Sequence, residues 1–197
     1  MQEYDEALRE QTEKTEIVFQ GPIFRVEVAE VRLPNGKTAR RDVVRHPGAV
    51  CVLPVTKEGE VYLVRQWRAG YRGVTLEIPA GKLDPGETDT REAAARELRE
   101  ETGAVAGRMT SLGDYYGSPA ILEERIAMYL AEDLTFGETD FDEDEFLAPV
   151  KMPLDDLVRE VLAGQIPDGK TQVAALRAYC MRHGLPDGTA LPDGTAL

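Results

Sequence analysis

The chain has 197 residues, 42% of them apolar, which is enough for one domain with a sizeable core, with or without a small extension. Lys and Arg number 23 against 36 Asp and Glu, a formal net charge of −13. That balance excludes a sequence-independent grip on nucleic acid or an anionic membrane, both of which need a positive surface, but it leaves anionic small molecules open because a metal ion can reverse the sign of a carboxylate-rich site.

The N-terminus, MQEYDEALREQTEKTE, is polar and reads as a lead-in up to about residue 14, with no leader sequence. A short strand is predicted at 16–19, before Gly21-Pro22. Residues 24–33 (FRVEVAEVRL) alternate with a period of two, as a half-buried strand does. Pro34-Asn35-Gly36 is a hairpin signal, and 38–44 is the returning strand. Strands at 49–56 and 60–65 flank a second turn, Lys57-Glu58-Gly59, and 75–78 is a brief strand. The apolar run 49–55 is too short to span a bilayer. A helix is predicted over 90–102, capped by Asp89 or Thr90, favoured by Ala93, Ala94, Ala95 and Leu98, and stopped by Gly103. Strands at 109–116, 126–131 and 146–152 follow, then amphipathic helices at 154–163 and 171–183. The tail repeats LPDGTA, which is turn chemistry without an assigned role. The order of elements predicts an α/β or α+β sandwich. Cys51 and Cys180 are far apart in apolar contexts and read as buried free thiols, which fits a cytoplasmic protein. His46 and His183 form no zinc motif, and neither a P-loop nor a GxGxxG fingerprint occurs.

The 90–102 helix concentrates Glu97, Glu100 and Glu101 at i, i+3 and i+4, so like charges share one face and repel. A solvated face paired with Arg96 and Arg99 is one explanation. The other is a hard divalent cation: Mg²⁺ takes oxygen ligands and is held by one or two carboxylates together with substrate phosphates. Gly81, Pro85 and Gly86 favour the second, because they form a sharply bending loop between an apolar strand and this helix.

The segment resembles the signature of the Nudix hydrolases: Gly81, Glu87, and Arg96-Glu97-Leu98-Arg99-Glu100-Glu101-Thr102-Gly103-Ala104. It departs at one place, with eight residues between Glu87 and Arg96 where the family has seven, the extra one falling near Thr88 to Thr90. The resemblance implies an α/β/α sandwich with a mixed sheet. It also implies a metal site of Glu97, Glu101, Glu100 and the Ala80 carbonyl, occupied by Mg²⁺ with Mn²⁺ as the alternative. Arg96 would orient the glutamates, supported by Glu77.

Ser118-Pro119, VRQWR at 64–68, LEIPAG at 76–81 and HPGAV at 46–50 resemble the ADP-ribose pyrophosphatase subgroup, although Ala120 stands where that subgroup has glycine. What this implies is hydrolysis of ADP-ribose to AMP and ribose 5-phosphate. The alternatives are another nucleoside diphosphate sugar, a dinucleotide, or a non-catalytic nucleotide sensor. Substrate contacts are expected from Arg68, Glu77, Lys82, Glu124 and Ser118, and across a homodimer from Phe24 and Arg41. The acidic stretch 138–145 (ETDFDEDE) matches a closing loop, with Glu143 or Glu145 as base and Glu145 as a further metal ligand. The expected organisation is an extension with a small antiparallel dimerisation sheet over 1–45, a Nudix domain over 46–184, and an irregular tail over 185–197. The expected partner is a small nucleotide, with no nucleic acid or membrane.

Overall fold

The structure, a computed structural model, describes residues 6–137 and 146–184. They fall into two compact units, one formed by the described residues up to 48 together with 116–125, the other by 49–115 together with the described residues from 126 onward.

The first unit contains an antiparallel sheet of β1 (Gln11–Gln20), β2 (Arg25–Arg32) and β3 (Thr38–Arg45), in that order. The β2–β3 hairpin closes at the predicted turn, where Gly36 adopts a positive φ of 81°. Alternation in β2 places Glu27, Ala29 and Val31 on the buried face. β1 is longer than the predicted 16–19, and its first residues replace part of the expected lead-in. Every residue in it is exposed, so its N-terminal half carries no apolar signal, and backbone pairing with β2 alone defines it. Two irregularities in register, between Thr12 and Lys14 and between Ile17 and Phe19, mark it as an edge strand. Residues 116–125 pack against the end of β3. Val44 donates to the Ile121 carbonyl (2.7 Å), Glu123 N donates to the Val44 carbonyl (2.9 Å), and Arg45 pairs with Glu123 (2.8 Å).

The second unit is an α+β sandwich around a mixed sheet ordered β7 (Ala80–Lys82), β4 (Ala49–Pro54), β9 (Ile126–Phe136), β8 (Ala104–Tyr115). β4 and β9 run parallel, while the other two pairs are antiparallel. β4 is buried throughout, as a central strand covered on both faces must be. Val50 and Val52 face helix α1 (Thr90–Thr102) through Ala93, Ala94 and Leu98. Cys51 and Leu53 face the opposite core, which Leu63, Met128 and Leu130 share with α2 (Leu154–Leu162) and α3 (Gly169–Arg182). A second sheet, β10 (Ala148–Pro153), β5 (Glu60–Arg68) and β6 (Gly73–Glu77), completes the unit.

β8 begins at Ala104 and β9 reaches Phe136, beyond the predicted 109–116 and 126–131. Their outer ends are partly exposed and pair only with each other, so apolar patterning undercounts them. Cys51 is buried, and burial pushes its thiol up to about 12, so it is inert. Cys180, expected to be buried, is half-buried on α3. Among the described residues no helix is long and apolar enough to cross a membrane. Glu143, Glu145 and the repeated tail lie outside the described residues.

Candidate active site

Asp89 caps α1 by accepting from the Arg91 and Glu92 amides, and Gly103 ends it in the left-handed conformation, φ 68°. Ala93, Ala94 and Leu98 turn that helix toward the core. The same rotation carries Glu97 and Glu101 into buried positions at 8% and 3% exposure, so the acidic face is not a solvated one. Arg96 holds the cluster together. Its Nη1 donates to Glu97 Oε1 (2.8 Å) and Glu100 Oε2 (3.0 Å), and its Nη2 donates to Glu87 Oε2 (3.2 Å). Burial alone would lower the Arg96 pKa, but the Glu87 hydrogen bond and the charges of Glu97 and Glu100 raise it well above its ordinary value. The guanidinium is therefore a permanent cation.

Glu87 reaches Arg96 despite the extra residue before it. The 84–87 turn closes on itself, Asp84 N donating to Glu87 Oε2 (3.0 Å) and Glu87 N to the Asp84 carbonyl (2.9 Å). The helix cap follows at Asp89, so the insertion is absorbed between turn and cap.

The short strand β7, which reads from sequence as loop, brings Ala80 and Gly81 beside β4, pairing with Cys51 and Val50. Ala80 N donates to Glu101 Oε1 at 3.4 Å. A Cβ on Gly81 would overlap the Glu97 carboxylate itself. Glycine is thus required by the close approach of Glu97 to the β7 backbone. Among the described residues no group of three or more His, Cys, Asp or Glu side chains is placed to hold a metal ion. Arg96 engages Glu97 and Glu100 instead. The donor set still fits a hard divalent cation, because Mg²⁺ sites rarely are closed protein cages: one or two carboxylates, with substrate phosphate and water completing the shell, suffice.

An ionic chain that sequence reasoning missed in part links the ends of β5 and β6 to α3. The Glu77 carboxylate is 2% exposed. It accepts a fork from Arg68, Nε to Oε1 at 2.8 Å and Nη2 to Oε2 at 2.7 Å, and further bonds from Thr75 and Lys170. Lys170 also donates to Asp168 (3.0 Å). The expected support of Arg96 by Glu77 is therefore replaced: Glu77 serves Arg68 and Lys170, and Arg96 draws on Glu87, Glu97 and Glu100. Arg68 and Glu77 were expected at the site, whereas Lys170 and Asp168 were not; Asp168 caps α3 by accepting from Thr171 N (3.0 Å), a local signal that could have drawn attention to it.

Burial alone would raise the Glu77 pKa, but the Arg68 fork and the Lys170 ammonium outweigh it and hold it at about 2, against an ordinary 4.5. Unfolded Glu77 takes up its proton near 4.5 and folded Glu77 only near 2. This stabilisation is present in full above the higher value and is lost as the pH falls toward the lower one. Glu77→Gln is expected to flatten the acid fall of unfolding free energy across that window, and to cost about 3–5 kcal/mol at neutral pH by breaking a buried ionic contact. Urea titrations at successive pH steps measure both. An unchanged acid limb would remove Glu77 as its source.

The remaining candidates fall in both units. Lys82 is exposed at the end of β7. In the other unit the Ser118 carbonyl accepts from Ile121 N (3.1 Å) and Leu122 N (2.9 Å). Glu124 Oε1 lies 3.5 Å from His46 Nδ1. Phe24 stacks obliquely on Phe19 at 5.6 Å, and Arg41 pairs with Glu10.

Comparison with known proteins matches residues 44–176 to the NUDIX domain and residues 10–44 to the nucleoside diphosphate sugar hydrolase N-terminal domain. An ADP-ribose pyrophosphatase of Bacillus subtilis is 41% identical over 170 residues, 85% of this chain and 91% of the relative. A methanol dehydrogenase activator of Bacillus methanolicus is 41% identical over 84% of this chain and 90% of its own. An ADP-ribose pyrophosphatase of Mycobacterium tuberculosis is 32% identical over 88% and 85%. The crystal structure of an ADP compounds hydrolase superposes with a TM-score of 0.74 at 25% identity, covering 89% of this chain and 96% of that one.

Proposed function

This chain belongs to the Nudix hydrolase family and is a Nudix pyrophosphohydrolase, and we propose that its reaction is the hydrolysis of ADP-ribose to AMP and ribose 5-phosphate with Mg²⁺. The observation that carries this reading is the seating of Glu97 against Gly81, with Glu101 at the Ala80 amide and Arg96 bracing the cluster. The choice of ADP-ribose is supported by two relatives that are ADP-ribose pyrophosphatases.

Glu97, Glu101 and the Ala80 carbonyl would hold the cation, with Glu100 beside them. Bound there, the cation would neutralise charge on the diphosphate oxygens and lower the pKa of the attacking water. Arg96 keeps the glutamates aligned while the site is empty of cation, offsetting their mutual repulsion. Arg68 meets the diphosphate as a fixed guanidinium. One anhydride P–O bond breaks, the water oxygen ends on one phosphate, and a carboxylate of Glu143 or Glu145 takes the proton. Ala120, in place of the subgroup's glycine, favours a second reading in which another nucleoside diphosphate sugar is preferred with the same chemistry.

The test is a product assay on ADP-ribose, ADP-glucose and a diadenosine polyphosphate, each with Mg²⁺ and with chelator. AMP formed fastest from ADP-ribose, and only with metal, supports the reading. Faster cleavage of another substrate replaces the substrate and keeps the reaction.

The working form in this reading is a cytoplasmic homodimer. Ile17, Val18, Phe19 and Phe24 are all exposed on or next to β1, more apolar surface than an isolated sheet edge tolerates. Light scattering after size exclusion is expected to give twice the chain mass. A monomer would remove Phe24 and Arg41 from the substrate site.

A further inference from the structure

Lys170 sits where helix physics disfavours it. It is the second residue of α3, and a cation in the first turn opposes the positive end of the helix dipole. It is also 7% exposed, and a buried ammonium is costly unless it is paired. Its two partners, Glu77 and Asp168, arrange the charges in an alternating row: Arg68, Glu77, Lys170, Asp168. Arg68 is the open end of that row, with a side chain 43% exposed where that of Glu77 is 2%. Glu77 takes Nε and Nη2 of Arg68, so the guanidinium plane is set by the fork.

Without Lys170, Glu77 and Asp168 would leave two negative charges behind a single arginine. The Arg68 charge would then be spent internally. With Lys170 in place the row holds two cations against two carboxylates, so Arg68 no longer faces both carboxylates alone and more of its field reaches an external anion.

We propose that Lys170 is a positioning residue which, acting through Glu77, keeps Arg68 oriented and electrostatically available for the substrate diphosphate. The inference rests on the reading of this protein as a diphosphate hydrolase, and assigns to α3 a part in substrate affinity.

The experiment is a double-mutant cycle of Lys170→Met and Arg68→Met, with kcat and KM for ADP-ribose measured at saturating Mg²⁺. Lys170→Met is expected to raise KM about tenfold and to leave kcat within about twofold. In the Arg68→Met background the same substitution is expected to change neither, because its route to the substrate is gone. A loss in kcat at constant KM, or an equal rise of KM in both backgrounds, would overturn the proposal. If Lys170→Met does not fold, Lys170→Gln, which keeps an N–H donor without the charge, is read in its place against the same outcomes. If the wild-type protein does not hydrolyse ADP-ribose, the substrate reading fails separately, and the cycle is then read by calorimetry with magnesium pyrophosphate. There an affinity independent of Lys170, or no binding by the wild type, would overturn the positioning role.

Discussion

Glu97→Gln is expected to reduce turnover of ADP-ribose by ~10³-fold or more while leaving the thermal midpoint nearly unchanged. The two halves of that result have different origins. Loss of turnover follows from removing a full negative charge from the carboxylate that would face the cation, and such an interaction supplies several kcal/mol in the transition state, tenfold in rate for each ~1.4 kcal/mol. The unchanged stability follows from Arg96. It is shared among Glu87, Glu97 and Glu100, with Asp84 at 3.8 Å, so losing one charge leaves it paired. Removing one of several like charges also relieves their repulsion. Steady-state kinetics and a melting curve on one preparation give both readings. Activity within tenfold of wild type would exclude Glu97 as a metal-facing group, and a large drop in midpoint would make it a structural residue.

Gly81→Ala should be nearly as damaging through geometry alone. The added methyl would occupy the space of the Glu97 carboxylate, so either the side chain leaves or β7 moves away from β4. A displacement on the order of 1 Å at such a site costs ~10²-fold in rate. Gly70→Ala is the matched control, since its Cβ would meet nothing within 4 Å. The expected pattern is loss of activity for Gly81→Ala, with weakened Mn²⁺ binding by calorimetry, and near-wild-type behaviour for Gly70→Ala. Equal activity in the two variants would mean that Glu97 does not work from the position it occupies here.

The legible parts of the molecule were those written in local pattern. The period-two alternation in β2, the unbroken apolar run of β4, the Asn35-Gly36 turn and the Asp89 and Gly103 caps each encode their own geometry over a few residues. The spacing of Arg96, Glu97, Glu100 and Glu101 is likewise local, because one helix carries all four. What was illegible depends on partners distant in the chain. β1 exists through its pairing with β2 and has no buried face to give it a periodic signature. β7 is three residues long, too short for any pattern. Lys170 meets Glu77 across 93 positions of sequence, and no spacing rule links them. The support of Arg96 by Glu77 was implied by the resemblance; in the structure Glu77 instead takes Arg68, nine positions away on the neighbouring strand, and Lys170.

Residues 116–125 have a consequence for how this protein can be taken apart. The family boundary at residue 44 suggests an N-terminal piece that could be cut away or exchanged between relatives like a cassette. The spatial grouping contradicts that partition, because a segment encoded some seventy residues later closes on Val44 and Arg45 through two backbone hydrogen bonds and an ion pair. A gene fragment begun at Ala49 would strand that segment with two unmet backbone groups. A graft that carried only the first 48 residues would import one side of a seam without the other. The heritable module here is discontinuous, and a chimera has to be spliced at two places to respect it.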